Sequence, residues 1–241
     1  MSEVLEIERR NQAWIFTLNR PQKMNALAPE LVQALTEGIE AAHQENIPLM
    51  IFKGSGKNFC AGFDFSDLDT ASEGDLLQRI IHIEILLDLL ATSPAMTVAL
   101  CHGRNFGAGV DIIASCKKRI ATANTTFRFP GIKFGLILGT RRFQNIVGTQ
   151  NALDILSSTR TFEAGEALNI GLIQQVREPE DWQSLIEQAE NNNAILSDVT
   201  RRNLYKVLYP DTESDQNLAA LVRSAAAPGL KERIRAYLKP N

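Results

Sequence analysis

Apolar and polar positions alternate over residues 3–9 and again over 13–18, a period of two that predicts two strands. Arg10-Asn11-Gln12 between them reads as the turn of a hairpin, and Pro21 stops the second strand. The period then lengthens. Residues 29–45 place Leu31, Val32, Leu35, Ile39 and Ala42 at helical spacing behind Pro29, which suits a first turn. Leu49–Phe52 is a short continuous apolar run, read as a buried strand, and residues 53–57 form the loop after it. A helix is predicted over 74–92, with Ile80, Ile83, Leu86, Leu87 and Leu90 on one face and Pro94 beyond its end. Thr97–Cys101 reads as a second buried strand, followed by a glycine-containing turn and a helix over 110–115. Strands are predicted at 120–123, 126–129 and 172–176, and helices at 140–158 and 163–169. Past Trp182 the strand signal ends, and helices are read near 182–196, 199–207, 215–225 and 229–238. This order gives an α/β layer followed by a helical C-terminal piece, with a boundary near residue 180. The last helices carry Leu and Ala faces with little of their own left to cover, so they are expected to pack on another subunit.

Composition narrows the class. A chain of 241 residues suits one large domain, or one domain with an appendage. Hydrophobic residues make up 44% and charged residues 22%, which fits a soluble globular protein. With a formal charge of −3, a broad basic surface for nucleic acid is not expected. No run of 18 apolar residues offers a membrane span, and the acidic, alternating start lacks the form of a signal peptide. Cys60, Cys101 and Cys116 form no CxxC and cannot all pair within one chain; reduced thiols and a cytoplasmic location are expected. No His, Cys or acidic cluster has metal-ligand spacing.

Two turns carry the candidate chemistry. Gly56-Lys57-Asn58-Phe59-Cys60-Ala61-Gly62-Phe63-Asp64 follows the first buried strand, and Gly103-Arg104-Asn105-Phe106-Gly107-Ala108-Gly109-Val110-Asp111 follows the second and enters a helix. Small residues let a ligand approach the backbone, and free N–H groups at a helix start favour negative charge. Neither turn is a phosphate loop, because GxxxxGK[ST] and GxGxxG are both absent, and no GxSxG elbow is present.

Together these turns resemble the crotonase (enoyl-CoA hydratase/isomerase) superfamily. Arg20-Pro21 with Asn25-Ala26-Leu27 is similar to that family's first-strand exit, and Phe59-Cys60-Ala61-Gly62-Phe63-Asp64 to its FxAGxD loop. Gly103 with Gly107-Ala108-Gly109 resembles its glycine-rich turn. Gly139-Thr140-Arg141-Arg142 with Val147-Gly148 resembles a later helix. Ala164-Gly165-Glu166-Ala167 with Gly171-Leu172-Ile173 and Val176 resembles the core's ending.

The resemblance implies a crotonase-like spiral of repeated ββα units over residues 1–180. It also implies a helical region over 181–241 that assembles a homotrimer or a dimer of trimers. It implies an acyl-CoA thioester substrate, with coenzyme A present only as part of it and no permanent cofactor. It further implies lyase, isomerase or hydrolase chemistry, as in fatty acid metabolism. By motif position, the backbone N–H groups of Phe63 and Ala108 would form the oxyanion hole that holds the thioester carbonyl. Lys23, Ala26, Leu27, Ala61, Gly62, Asp64 and Phe65 would border coenzyme A, and Lys57 and Arg142 are further candidates for its phosphates.

The chain departs from the family at its acid/base positions. Hydratases of the family use two glutamates. Asp111 stands at the place of the first, and Gly131, after Phe129-Pro130, stands at the place of the second. Hydration needs one group to activate water and another to manage the α-proton, so standard hydratase chemistry is not expected. Asp111, one turn after Ala108, becomes the catalytic candidate as base, nucleophile or water anchor; the alternative is a carboxylate that only stabilises its helix start. Arg128 is open to binding a substrate carboxylate, pairing with Asp111 or facing solvent. His82 borders the apolar stripe of its helix as a further acid or base candidate. His102 is read as a strand-end hydrogen-bonding group, His43 as exposed, and Cys60 as packing under its loop. A non-catalytic acyl-CoA binder or assembly subunit is the alternative function.

Overall fold

The computed structural model describes residues 4–10 and 12–239. The alternating N-terminus forms the expected hairpin: β1 (Leu5–Arg9) runs antiparallel to β2 (Trp14–Leu18), with Leu5 opposite Leu18 and Arg9 opposite Trp14. Residue 3, read as part of the first strand, and Asn11, read as part of the turn, lie outside the described residues. The chain then crosses over through α1 (Pro29–Gln44) to β3 (Leu49–Gly54), and through α2 (Glu73–Ala91) to β4 (Met96–Cys101). Both strands pair parallel to the strand before them. Their continuous apolar runs are what a parallel strand covered on both faces requires.

After β4 come β5 (Arg104–Phe106), α3 (Ala108–Ser115), β6 (Lys118–Ala121) and β7 (Thr126–Arg128). Next are α4 (Thr140–Val147), α5 (Thr149–Ser158), β8 (Phe162–Glu163), α6 (Ala164–Asn169) and β9 (Gln175–Val176). The main sheet has the order β1-β2-β3-β4-β6-β9, and β5, β7 and β8 form a second, small sheet. The strand expected at 120–123 begins two residues earlier, at Lys118, and the one expected at 172–176 is confined to two residues. The single helix expected over 140–158 is two helices, broken at Gly148, whose φ of 79° no α-helix accommodates.

One face of the main sheet packs Trp14, Phe16 and Phe52 against α1, α2 and α3. The opposite face carries Ile15, Ile51, Val98, Leu100 and Ile120, covered by Leu185 and Ile186 of α7 (Trp182–Asn193). The remaining tail comprises α8 (Asp198–Leu208), α9 (Ser214–Ala225) and α10 (Leu230–Leu238). The expectation that the last helices have little of their own to cover is corrected for two of them. Leu221 and Ala225 of α9 and Leu230 and Ile234 of α10 pack on Leu76 and Ile80 of α2 and on Phe134. Their apolar faces close over the chain's own α2 region, and only α8 is left with a largely exposed apolar flank, which includes Val199 and Val207. No described helix is long and apolar enough to cross a membrane.

Candidate active site

The loop after β3 and the turn after β4 meet at a residue that has no side chain. Gly62 has φ +82°, and a Cβ there would lie 2.3 Å from the Phe106 carbonyl oxygen and 3.2 Å from the Ala108 nitrogen. Only glycine allows both this backbone conformation and this approach. On the far side of the loop, Leu27 N–H donates to the Gly62 carbonyl at 2.7 Å, and Asp64 N–H donates to the Leu27 carbonyl at 3.4 Å. This bridge turns the Phe63 N–H the other way. Ala108 opens α3, so its N–H is one of the donors a helix start leaves over, while Val110 and Asp111 N–H both turn to the Gly107 carbonyl. Neither the Phe63 nor the Ala108 N–H has an acceptor among the described residues.

Phe63 and Ala108 line one cavity of about 60 Å³. Its wall is apolar, built from side chains such as Ile80, Ile83, Phe129 and Leu138, with Ala61, Phe65 and Gly131 also on it. Asp111 is the one titratable residue among the described residues that line it. The one-turn spacing from Ala108 therefore brings Asp111 to the same cavity as the two free donors. Gly131 lies in a 3-10 turn (Pro130–Phe134), and a Cβ there would meet nothing nearer than Leu136 Cβ at 3.7 Å.

Asp111 is 2% exposed, and its Oδ1 is buried without a hydrogen-bond partner among the described residues. The carboxyl lies against Gly139, where a Cβ would come within 2.0 Å of Oδ1, so α4 can begin there only with glycine. Burial pushes the Asp111 carboxyl well above the ordinary carboxylate range, and the Glu84 charge adds to this against the pull of Arg142. Asp111 therefore carries a proton far above the pH at which an exposed aspartate loses its own. Glu84 Oε1 accepts from Arg142 Nη2 at 2.7 Å, and Arg142 also approaches Asp88 at 3.3 Å. Burial raises the Glu84 carboxyl as well, in spite of that pairing.

The other expected residues distribute as follows. Arg142 is corrected: it is held inside by Glu84 and Asp88 and is not placed as a free phosphate contact. Arg128 donates from Nε to the Thr159 carbonyl at 2.9 Å, and the cation beside Asp111 is Arg142. His82 is exposed and lines a groove between α1 and α2 with Gln33, Glu37 and Asp75, apart from the apolar cavity. His43, expected exposed, is half-buried with Nε2 2.8 Å from Ser93 Oγ, because the end of α1 meets the link between α2 and β4. His102 bonds the Gly56 carbonyl at 3.0 Å, the strand-end role read for it. Cys60 packs under its loop with Sγ 3.2 Å from the Asn25 carbonyl, and burial raises its thiol to about 12. Lys23 and Lys57 are exposed, while Ala26 and Leu27 are buried. Phe65 lies against Phe63, the rings tilted by 52° with centroids 5.2 Å apart. Asp64 pairs with Arg20 Nη1 at 2.8 Å. Burial works to raise the Asp64 carboxyl, but Ser66 and Arg20 together hold it below the ordinary range. Asp64 thus ties its loop to the exit of β2.

Glu84 was not singled out from the sequence, although a signal exists. It follows Ile80 by four and precedes Leu87 by three, which places a carboxylate on the apolar face of α2.

The sequence profile of the enoyl-CoA hydratase/isomerase family matches residues 8–222. The chain belongs to the enoyl-CoA hydratase/isomerase (crotonase) family. A crystal structure of an enoyl-CoA hydratase/isomerase homologue from Bordetella parapertussis is 54% identical over the full length of both chains, with a TM-score of 0.97. An ethylmalonyl-CoA decarboxylase from Mus musculus is 32% identical over 191 residues, covering 76% of this chain and 59% of that protein. The chain thus spans less than two thirds of that relative's length. The enoyl-CoA hydratase/isomerase homologue YngF of Bacillus subtilis is 32% identical over 188 residues, covering 76% of this chain and 71% of that one. The crotonase fold of the family is therefore present here, with its helical C-terminal region.

Proposed function

We propose that this crotonase-family chain binds an acyl-CoA thioester with the acyl group in the apolar cavity. The thioester oxygen accepts from the Phe63 and Ala108 N–H groups, and coenzyme A lies along Lys23, Ala26, Leu27, Ala61, Gly62 and Phe65 as part of the substrate. The observation that carries this reading is the pair of unpartnered N–H groups facing one apolar cavity. Donors fixed in the backbone stabilise an enolate oxygen with no reorganisation, and each contributes about 2.7–4 kcal/mol at the transition state.

The reaction class follows from what else faces the cavity. A single carboxyl that holds its proton is an acid, and Gly131 supplies no second group. Hydration and double-bond migration both need a base in addition. Decarboxylation of an α-carboxyacyl (malonyl-type) thioester does not. The C–C bond breaks, its electron pair passes into the enolate, CO2 leaves, and Asp111 gives its proton to the α-carbon. An apolar wall favours a step that removes charge beside it. The decarboxylase among the relatives agrees with this class.

The test pairs calorimetry on acyl-CoAs with CO2 release from malonyl-, methylmalonyl- and ethylmalonyl-CoA, against crotonyl-CoA hydration. Binding with CO2 release supports the reading. Crotonyl-CoA turnover near the general enzyme median of about 10 s⁻¹ overturns the reaction class. No binding at millimolar acyl-CoA overturns the function. The empty Gly131 position favours a second reading, an acyl-CoA binder without turnover; it predicts binding and no CO2 release. We further propose assembly as a homotrimer or a dimer of trimers through the tail.

A further inference from the structure

Behind Asp111 lies a charge cluster that the cavity itself does not need. Glu84 sits on the buried face of α2 with its side chain 3% exposed, and Asp88, one turn later, is 30% exposed. Arg142, from the first turn of α4, reaches both. Asp88 Oδ1 also accepts from Ser214 Oγ at the start of α9. The groove outside Asp88, of about 370 Å³, is lined by Arg142, Tyr209 and Ser214. The cluster thus runs from the wall of the acyl cavity to the surface.

Its charges do not balance. Three carboxyls, Glu84, Asp88 and Asp111, face one guanidinium. If all were ionised, two negative charges would remain uncompensated, with Glu84 and Asp111 almost fully buried. Its hydrogen bonds do not balance either. Asp111 Oδ1, Glu84 Oε2 and Arg142 Nη1 are each buried without a partner among the described residues. A buried polar atom left over is costly, so three in adjoining groups are not expected of a strut that serves stability alone. A set of two acceptors and one donor instead fits a cluster whose proton count changes in use.

We propose that Glu84 is the positioning residue for the proton on Asp111: its carboxylate takes the Arg142 cation for itself, so Asp111 is left to hold a proton at the cavity wall. The inference rests on the enolate reading above for its use, though not for its test. With Glu84 ionised and paired, the negative charge that Arg142 can compensate is already supplied. A second buried negative charge at Asp111 is then unfavourable, and burial acts in the same direction. When Asp111 has given its proton to an enolate, that unfavourable state draws a proton back, which resets the acid. Without Glu84, Arg142 would be free to pair with Asp111 and hold it ionised, and the cavity would lose its acid at neutral pH.

The experiment follows the Asp111 carboxyl directly. The full chain is labelled with carboxyl-¹³C aspartate and glutamate, and the Asp111 and Glu84 resonances are assigned with Asp111→Asn and Glu84→Gln. In the unmodified protein Asp111 should titrate far above the ordinary aspartate range. Its curve and that of Glu84 should share two inflections, as coupled sites do. In Glu84→Gln, which keeps the shape and an acceptor for Arg142, the Asp111 midpoint should fall by about one pH unit or more. Butyryl-CoA affinity should stay within about twofold, because Glu84 does not line the cavity. If CO2 release is observed, its loss with rising pH should begin at correspondingly lower pH in the variant. An Asp111 midpoint unmoved in folded Glu84→Gln overturns the proposal. If that variant does not fold, independent single-step curves for Asp111 and Glu84 in the unmodified protein overturn it, and shared inflections support it. Absence of butyryl-CoA binding by the unmodified protein counts against the enolate reading and leaves the titration result standing.

Discussion

Asp111 shows how one residue joins stability to chemistry. Its carboxyl is raised in the folded chain, so the folded state keeps its proton to a higher pH than the unfolded chain does. The stability tied to that proton is fully present below the unfolded value, near pH 3.9, and is lost as pH rises toward the folded value, by about 1.4 kcal/mol per unit. Asp111→Asn removes the dependence. We expect its melting temperature relative to the unmodified protein to improve as pH rises from about 4 toward the folded value; a constant difference would show that Asp111 is ionised in the fold. The same variant should abolish turnover and leave acyl-CoA affinity nearly unchanged, since Asn keeps the shape and has no carboxyl proton to give. Gly131→Glu tests the other wall. Gly131 is outside the positive-φ region, and its Cβ position has only ordinary contacts, so the variant should fold. By restoring a second carboxyl it should raise crotonyl-CoA hydration above the background of the unmodified protein; hydration unchanged in a folded variant would mean that the carboxyl does not reach a bound acyl chain. At this scale the sequence was legible where a residue belonged to a motif, as Asp111 and Gly131 did. It was not legible where pairing joined distant elements: Glu84 is in no motif, and the motif that holds Arg142 does not show that Glu84 faces it. A cation in a helix reads as a surface charge until the fold shows what faces it.

At the scale of elements, periodicity served where runs were long. The parallel strands β3 and β4 and the helices α1 and α2 lie within two residues of the reading, because each contains enough apolar positions to define a period. The small sheet was not legible as a sheet. β5 has three residues inside a glycine-containing turn and β8 has two, so neither can display alternation. Yet this sheet fixes the turn that presents Ala108. Phe106 pairs with Arg128, and Gly107 N–H donates to the Arg128 carbonyl at 2.8 Å. Gly62→Ala probes the junction of the two loops. A methyl group 2.3 Å from the Phe106 carbonyl, on a residue with φ +82°, forces the loops apart. The expected cost is about 1–3 kcal/mol in thermal or denaturant unfolding, with acyl-CoA affinity lost by at least tenfold. Full affinity in the variant would mean that the Phe63 and Ala108 donors do not act together on one oxygen.

On the scale of the whole molecule, the tail divides its work. α9 and α10 close over α2 and Phe134, so they back the wall of the acyl cavity that Ile80 and Phe134 line. The inner side of α8 is pinned to the core as well. Lys117 Nζ donates to the Ser93 carbonyl at 2.7 Å and lies over the rings of Tyr205 and Tyr209, at 5.2 and 5.1 Å. Its outer side is different. Val199 is 70% exposed and Val207 78%, with Ile195 and Leu208 also open to solvent. Isolated apolar residues on a surface are ordinary, but several along one short helix and its lead-in are what a subunit contact covers. Self-association is therefore expected to use α8 and to leave the last two helices in place. Light scattering should then give a particle of three or six times 26.7 kDa. Val207→Glu should dissociate it toward one chain, because a charge on that flank would be buried without a partner. It should do so without loss of helical circular dichroism, since Val207 touches solvent in the single chain. A mass of one chain for the unmodified protein would rule out the assembly, and an unchanged mass for Val207→Glu would move the contact to another face.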